Sequence, residues 1–119
     1  MMALDTVADY VRNARVLLQD TIPDYRYSDS ELVENINLGL LEIRRLRPEL
    51  MRSYFRSSIP TYTTTNMSST SVAMDPMYRV SLLYYICGQA QLRDDENTQD
   101  ARATVFLNKF VAQMLTIQS

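Results

Sequence analysis

Five arginines, Arg44, Arg45, Arg47, Arg52 and Arg56, fall within thirteen residues and are opposed only by Glu49. A guanidinium is a planar fork of N–H donors that matches carboxylate or phosphate, so such a cluster suits ion pairing across a joint or contact with a nucleic-acid backbone. The plainer reading is a solvated helix end whose cations complement the C-terminal dipole. That covers Arg44, Arg45 and Arg47 but not Arg52 and Arg56, which lie beyond Pro48. An interface is therefore favoured, and nucleic acid is the weaker option because only Tyr54 and Phe55 supply interleaved aromatics. Asp94, Asp95 and Glu96 could offer oxygen ligands to a hard cation, but no Asp-x-Asp-x-Asp-Gly loop accompanies them. Carboxylates ahead of a helix N-terminus are the ordinary case. Cys87 sits on an apolar stripe with no histidine or clustered cation beside it, which reads as a buried, inert thiol. Tyr84 and Tyr85 read as packing residues.

The inventory narrows the chemistry further. The chain has 119 residues, no His, one Cys and two Gly, Gly39 and Gly88. No Ser-His-Asp triad, His-Cys dyad or Cys-rich zinc module can be assembled from it. Two glycines cannot make a phosphate-binding loop. No catalytic residue, metal site or cofactor is expected. A net charge of -2 gives no global attraction to nucleic acid or an anionic membrane. Asp5 and Asp9 interrupt the first residues and no basic segment precedes an apolar run, so no secretory leader is expected. No stretch reaches 18 uncharged apolar residues, and no membrane span is expected either. A soluble intracellular protein is the reading.

Leu4, Val7, Val11, Ala14 and Leu18 recur at helical spacing and Pro23 stops the pattern, giving a first helix over about 4–19. Tyr25 and Tyr27 in the following link should lie over the bundle. Ser28-Asp29-Ser30-Glu31 is a capping box, and Leu32, Ile36, Leu40, Ile43 and Leu46 mark one face of a second helix over 29–47, ended by Pro48. Gly39 inside it costs about 1 kcal/mol against Ala, a cost that a close approach by another backbone would explain. Asp75-Pro76 caps and opens a third helix to about 92, striped by Val80, Leu83, Tyr84, Cys87 and Ala90. A polar turn leads to a fourth helix over 98–117, capped by Asn97 or Thr98, with a wide apolar face from Ala103 to Leu115. The short turn makes the last two helices an antiparallel hairpin.

Between helices two and three runs a long connection, 49–74. Its part Ser57–Met74 is eighteen residues without a charge, ten of them Ser or Thr. Thr61, Tyr62, Thr63, Thr64 and Thr65 favour extended backbone, so a β-hairpin or an extended arm is open to this loop. Such a segment could pair edge-to-edge with a second chain. A connection this long in a small domain is functional or disordered more often than not. The fold class is all-α: a four-helix bundle in one domain, 1–119, with a long Ser/Thr-rich loop.

The run Tyr25-Arg26-Tyr27-Ser28-Asp29-Ser30-Glu31-Leu32, continued by Asn37-Leu38-Gly39-Leu40-Leu41-Glu42-Ile43-Arg44-Arg45-Leu46-Arg47-Pro48, resembles head–tail adaptor (connector) proteins of tailed bacteriophages, especially short-tailed ones. So do Leu82-Leu83-Tyr84-Tyr85, Ala90-Gln91-Leu92-Arg93-Asp94-Asp95-Glu96 and Asp100-Ala101-Arg102-Ala103, up to Phe110. The resemblance covers helices one to four. It implies a non-enzymatic virion protein at the head–tail junction, present in the host cytoplasm during assembly. It implies a ring, twelve-fold in most such adaptors, between the portal protein and the tail nozzle or tail tube, with DNA only as passing cargo. The loop at 57–74 would engage the neighbour, the portal or the tail, and one that ordered only on docking would hold back premature association. Only Thr116 to Ser119 follow the last apolar face, so a long portal-embracing tail is not expected. The alternative is a small regulatory helical protein that binds a host or phage protein through Arg44–Arg56. A metal-dependent hydrolase or nuclease is disfavoured by the missing histidine and missing ligand spacing.

Overall fold

The computed structural model describes residues 4–22, 25, 27–50, 60–74, 76–92 and 100–116. They form four α-helices: α1 (Val7–Leu18), α2 (Asp29–Leu46), α3 (Arg79–Leu92) and α4 (Asp100–Thr116). A 3-10 turn, Pro76–Tyr78, leads into α3. The described residues contain no strand, only one isolated antiparallel bridge between Thr6 and Ser71. The described residues are thus all-α, as the periodicity of the sequence indicates.

α1 starts later than Leu4 because the cap is Thr6. Its hydroxyl accepts the Asp9 N–H at 3.2 Å while the Asp9 carboxylate accepts the Thr6 N–H at 3.1 Å, a complete capping box. Gln19 ends the helix in the left-handed region, φ 59, with its N–H returned to the last turn. α2 starts where its sequence indicates, with the Ser28 hydroxyl accepting the Glu31 N–H at 3.1 Å. The proposed caps of α3 and α4, Asp75 and Asn97 or Thr98, lie outside the described residues, as do Asp94, Asp95 and Glu96.

α3 corrects the single-stripe reading. It is the central helix, and its apolar surface runs all the way round, as burial on several sides requires. The Cys87 thiol faces α1, 3.8 Å from the Ala14 carbonyl. Leu82, Tyr85 and Ile86 meet α2 near Gly39 and Asn35. Ser81, Tyr84, Tyr85 and Gly88 meet α4 through Gln113, Phe106, Phe110 and Leu107. Three neighbours spaced around one helix leave it no polar face.

Both glycines are places of close approach. A Cβ at Gly39 would lie 2.5 Å from Leu82 Cδ1 and 3.0 Å from Tyr85 Cδ1, so α3 side chains rather than backbone occupy its space. At Gly88 a Cβ would lie 2.7 Å from Leu107 Cγ and 3.3 Å from the Leu107 backbone nitrogen. Gly88→Ala gains about 1 kcal/mol of helix propensity but forces α3 and α4 apart. A net loss of about 1–2 kcal/mol is expected. Combining it with Leu107→Ala should cost less than the two losses added, and denaturant titrations of the four proteins test this; strict additivity would show that the glycine is not there for clearance.

Candidate functional site

The Ser/Thr loop is not a hairpin over its described part, 60–74. It wraps the N-terminal end of α1, where the first helical amides lack intrahelical acceptors. Thr70 and Met67 carbonyls accept the Val7 and Ala8 N–H groups at 2.9 and 3.1 Å, and the Val72 N–H donates to the Asp5 carbonyl at 2.8 Å. Arg79, at the start of α3, fastens the same corner by donating to the Leu4 and Met74 carbonyls at 2.9 and 3.2 Å. The expectation of an arm that orders only on docking gives way here to a fastened loop, because α1 needs these carbonyls. Positions 57–59 lie outside the described residues.

Tyr62, expected at the interface, is instead a buried anchor. Its backbone N–H and C=O pair with the two ends of the Asn37 amide at 2.8 and 2.9 Å. Its hydroxyl accepts the Ala73 N–H at 2.8 Å, closing the loop on itself. Thr61, Thr63, Thr64 and Thr65 are exposed. The loop therefore presents four threonines on a tethered base.

The arginines divide. Arg44 and Arg45 are exposed on the last turn of α2, and Arg45 pairs with Glu42 one turn back. Arg47 is turned inward, its side chain only 15% exposed. It donates to the Met114 carbonyl in the last turn of α4, pairs with Glu49 and lies over the Tyr78 ring. It is a clamp between two helix ends, so of the cluster's helical members only Arg44 and Arg45 are presented outward. Arg52 and Arg56 lie outside the described residues.

One buried cation carries no signal in the arginine cluster. Arg15 of α1 donates to Asp20 Oδ2 at 3.0 Å, to the Tyr27 carbonyl at 2.8 Å and to Asp29 Oδ1. The Tyr25 ring covers its guanidinium at 3.8 Å. The signal was a cation adjoining the apolar stripe of α1, with acids on either side of the link it must hold.

Beside this network lies a cleft of about 340 Å³, walled by Ala8, Val11, Val16, Tyr25 and Met67, with Arg12 and Arg15 among its lining. Val16 and Tyr25 are each about half exposed, at 52% and 48%. The other outward apolar surface is on α4. Thr104, Val105, Asn108, Val111, Ala112 and Leu115 are all exposed, and Lys109 is the one charge between Ala103 and Leu115. No group of three or more His, Cys, Asp or Glu able to hold a metal ion occurs among the described residues. No described helix is long and apolar enough to cross a membrane.

Asp9 gives the corner its pH dependence. The Thr6 backbone N–H, above all, holds its carboxylate below the ordinary 3.8, with the Asp5 N–H and Arg12 adding to the effect. A carboxylate depressed by folding contributes stability above its unfolded value and loses it as pH falls through the lower folded value. Melting temperature is thus expected to fall below about pH 4, and Asp9→Asn should flatten that limb; an unchanged profile would remove Asp9 from the account.

No protein-family model, curated protein or solved structure matches the chain.

Proposed function

We propose that this protein is a head–tail adaptor of a tailed bacteriophage, a structural subunit of a ring between the portal protein and the tail nozzle or tube. The reading rests on the resemblance of its helical segments to that family. The observation that carries it is the loop: Thr61, Thr63, Thr64 and Thr65 stand outward on a base tied to both α1 and α2. A subunit that joins others by shape needs a presented, positioned contact more than it needs reactive groups. Many weak joints then add by avidity once a portal arrays the subunits, while single subunits stay apart. Ring number and twelve-fold symmetry belong to the resemblance.

The test is a native mass measurement of the chain mixed with a tailed-phage portal protein. A portal carrying a ring of subunits is the expected result; a free portal and free monomer would overturn the proposal. In the same assay Arg44→Glu with Arg45→Glu should weaken capture several-fold with helix content unchanged. Undiminished capture would take these arginines out of the interface.

A further inference from the structure

The cleft beside α1 combines hydrocarbon walls with a charged lining that is not evenly committed. Val11, Val16, Met67 and the Tyr25 ring supply the walls, and the charged groups of the lining are Arg12, Arg15 and Asp29, two cations to one carboxylate. Arg15 is fully engaged. It serves Asp20, Asp29 and the Tyr27 carbonyl, and the Tyr25 ring lies over it. Asp29 is matched by that same guanidinium. Arg12 is different. Among the described residues it meets one acceptor, Asp9, through one terminal nitrogen, and its side chain is 48% exposed.

A guanidinium carries five N–H donors in a planar fork. Asp9 occupies one of them with Oδ1, while its Oδ2 accepts the Asp5 and Thr6 N–H groups, both at 3.1 Å. Asp9 is therefore fixed by the helix cap and in turn fixes Arg12 at the cleft. It takes part of the arginine's charge but leaves most of its donors. What the cleft still has to give is donor capacity from a cation, and the complement of that is an anionic acceptor. Size decides what can carry the anion. The cleft holds about 340 Å³, the small end of ligand sites. A cavity of about 150 Å³ takes a benzene ring, so this one takes a ring with a short chain. It is too small for a partner helix about 10 Å across.

We propose that the α1 cleft is a binding site for a small amphipathic carboxylate. The apolar body of the ligand lies against Val11, Val16, Met67 and Tyr25, and its carboxylate accepts from Arg12. The walls supply most of the affinity by removing apolar surface from water. Arg12 supplies the preference for an anion over a neutral molecule of the same shape. The site is separate from Arg44, Arg45 and the exposed threonines and does not depend on the ring reading.

The test is titration of the full chain with 4-phenylbutyrate and, in parallel, with its uncharged amide, followed by the nuclear magnetic resonance signals of the Met67 methyl group and the Tyr25 ring. Saturable binding of the acid that moves both signals is expected, with the amide about tenfold weaker. Arg12→Gln should weaken the acid by that factor and leave the amide unchanged, while Arg12→Lys keeps part of the preference. Val16→Phe, at a half-exposed position that tolerates the larger side chain, should fill the cleft and weaken both ligands. Circular dichroism confirms that each variant is folded. Equal affinity for acid and amide would overturn the proposal. So would undiminished binding of the acid by Arg12→Gln, or saturation that leaves Met67 and Tyr25 unmoved.

Discussion

Arg15→Ala is expected to destabilise the protein by about 3–5 kcal/mol, because it removes one partner from a buried ion cluster. The side chain is 8% exposed and Asp20 opposite it 9% exposed. Without the guanidinium, Asp20 and the Tyr27 carbonyl each lose a donor, while the Tyr27 N–H still reaches Asp20 at 3.0 Å. The residues joined, Asp20, Tyr27 and Asp29, span the whole link between α1 and α2. Losing the cation therefore loosens the entry to α2 as well as the end of α1. Arg15→Lys should recover little, since one ammonium cannot reach acceptors that the two terminal nitrogens now serve separately. Thermal denaturation followed by circular dichroism measures both; a midpoint within a few degrees of the parent would mean the cluster contributes almost nothing net.

Phe110→Ala is the second. Phe110 is 1% exposed and meets the Tyr85 ring edge-on with centroids 5.0 Å apart. Removing it costs the transfer of a buried ring plus the cavity left behind, about 3–5 kcal/mol. The site has little freedom to collapse, because Gly88 already brings α3 and α4 as near as Leu107 allows. Phe110→Leu keeps much of the volume and should cost less than half as much. Chemical denaturation with parallel tryptic digestion separates the outcomes: a released α4 would be cut first, while a uniform loss would show that α3 and α4 unfold with the rest.

The helices were legible because their signals are local. Ser28 with Glu31 marks the start of α2, and the run from Leu32 to Leu46 marks its face. Apolar spacing alone puts the start of α1 too early, because Leu4 continues it, whereas Thr6 and Asp9 supply the cap. The role of α3 was hidden for a related reason. A stripe can be picked from Val80 to Ala90, but Leu82, Tyr85 and Ile86 on its other sides are just as apolar, and only three packed neighbours explain that. The candidate interface was less legible still. Arg47 shares a run with Arg44 and Arg45, yet its position one residue past the end of α2 lets it reach the Met114 carbonyl. Tyr62 shares a run with four threonines, yet Asn37 draws it inside. Contacts spanning 25 and 67 residues leave no mark in a local pattern.

The carbonyls of Met67 and Thr70 on the first amides of α1 also order events in time. α1 leaves the ribosome before α2, α3 and α4, but its end cannot be completed until some sixty further residues exist. Closing that loop carries an entropic cost that local helix formation does not. The hairpin of α3 and α4, joined through near neighbours, has no such wait. The N-terminal corner is therefore the part expected to dock late in folding and to open first when the protein is strained.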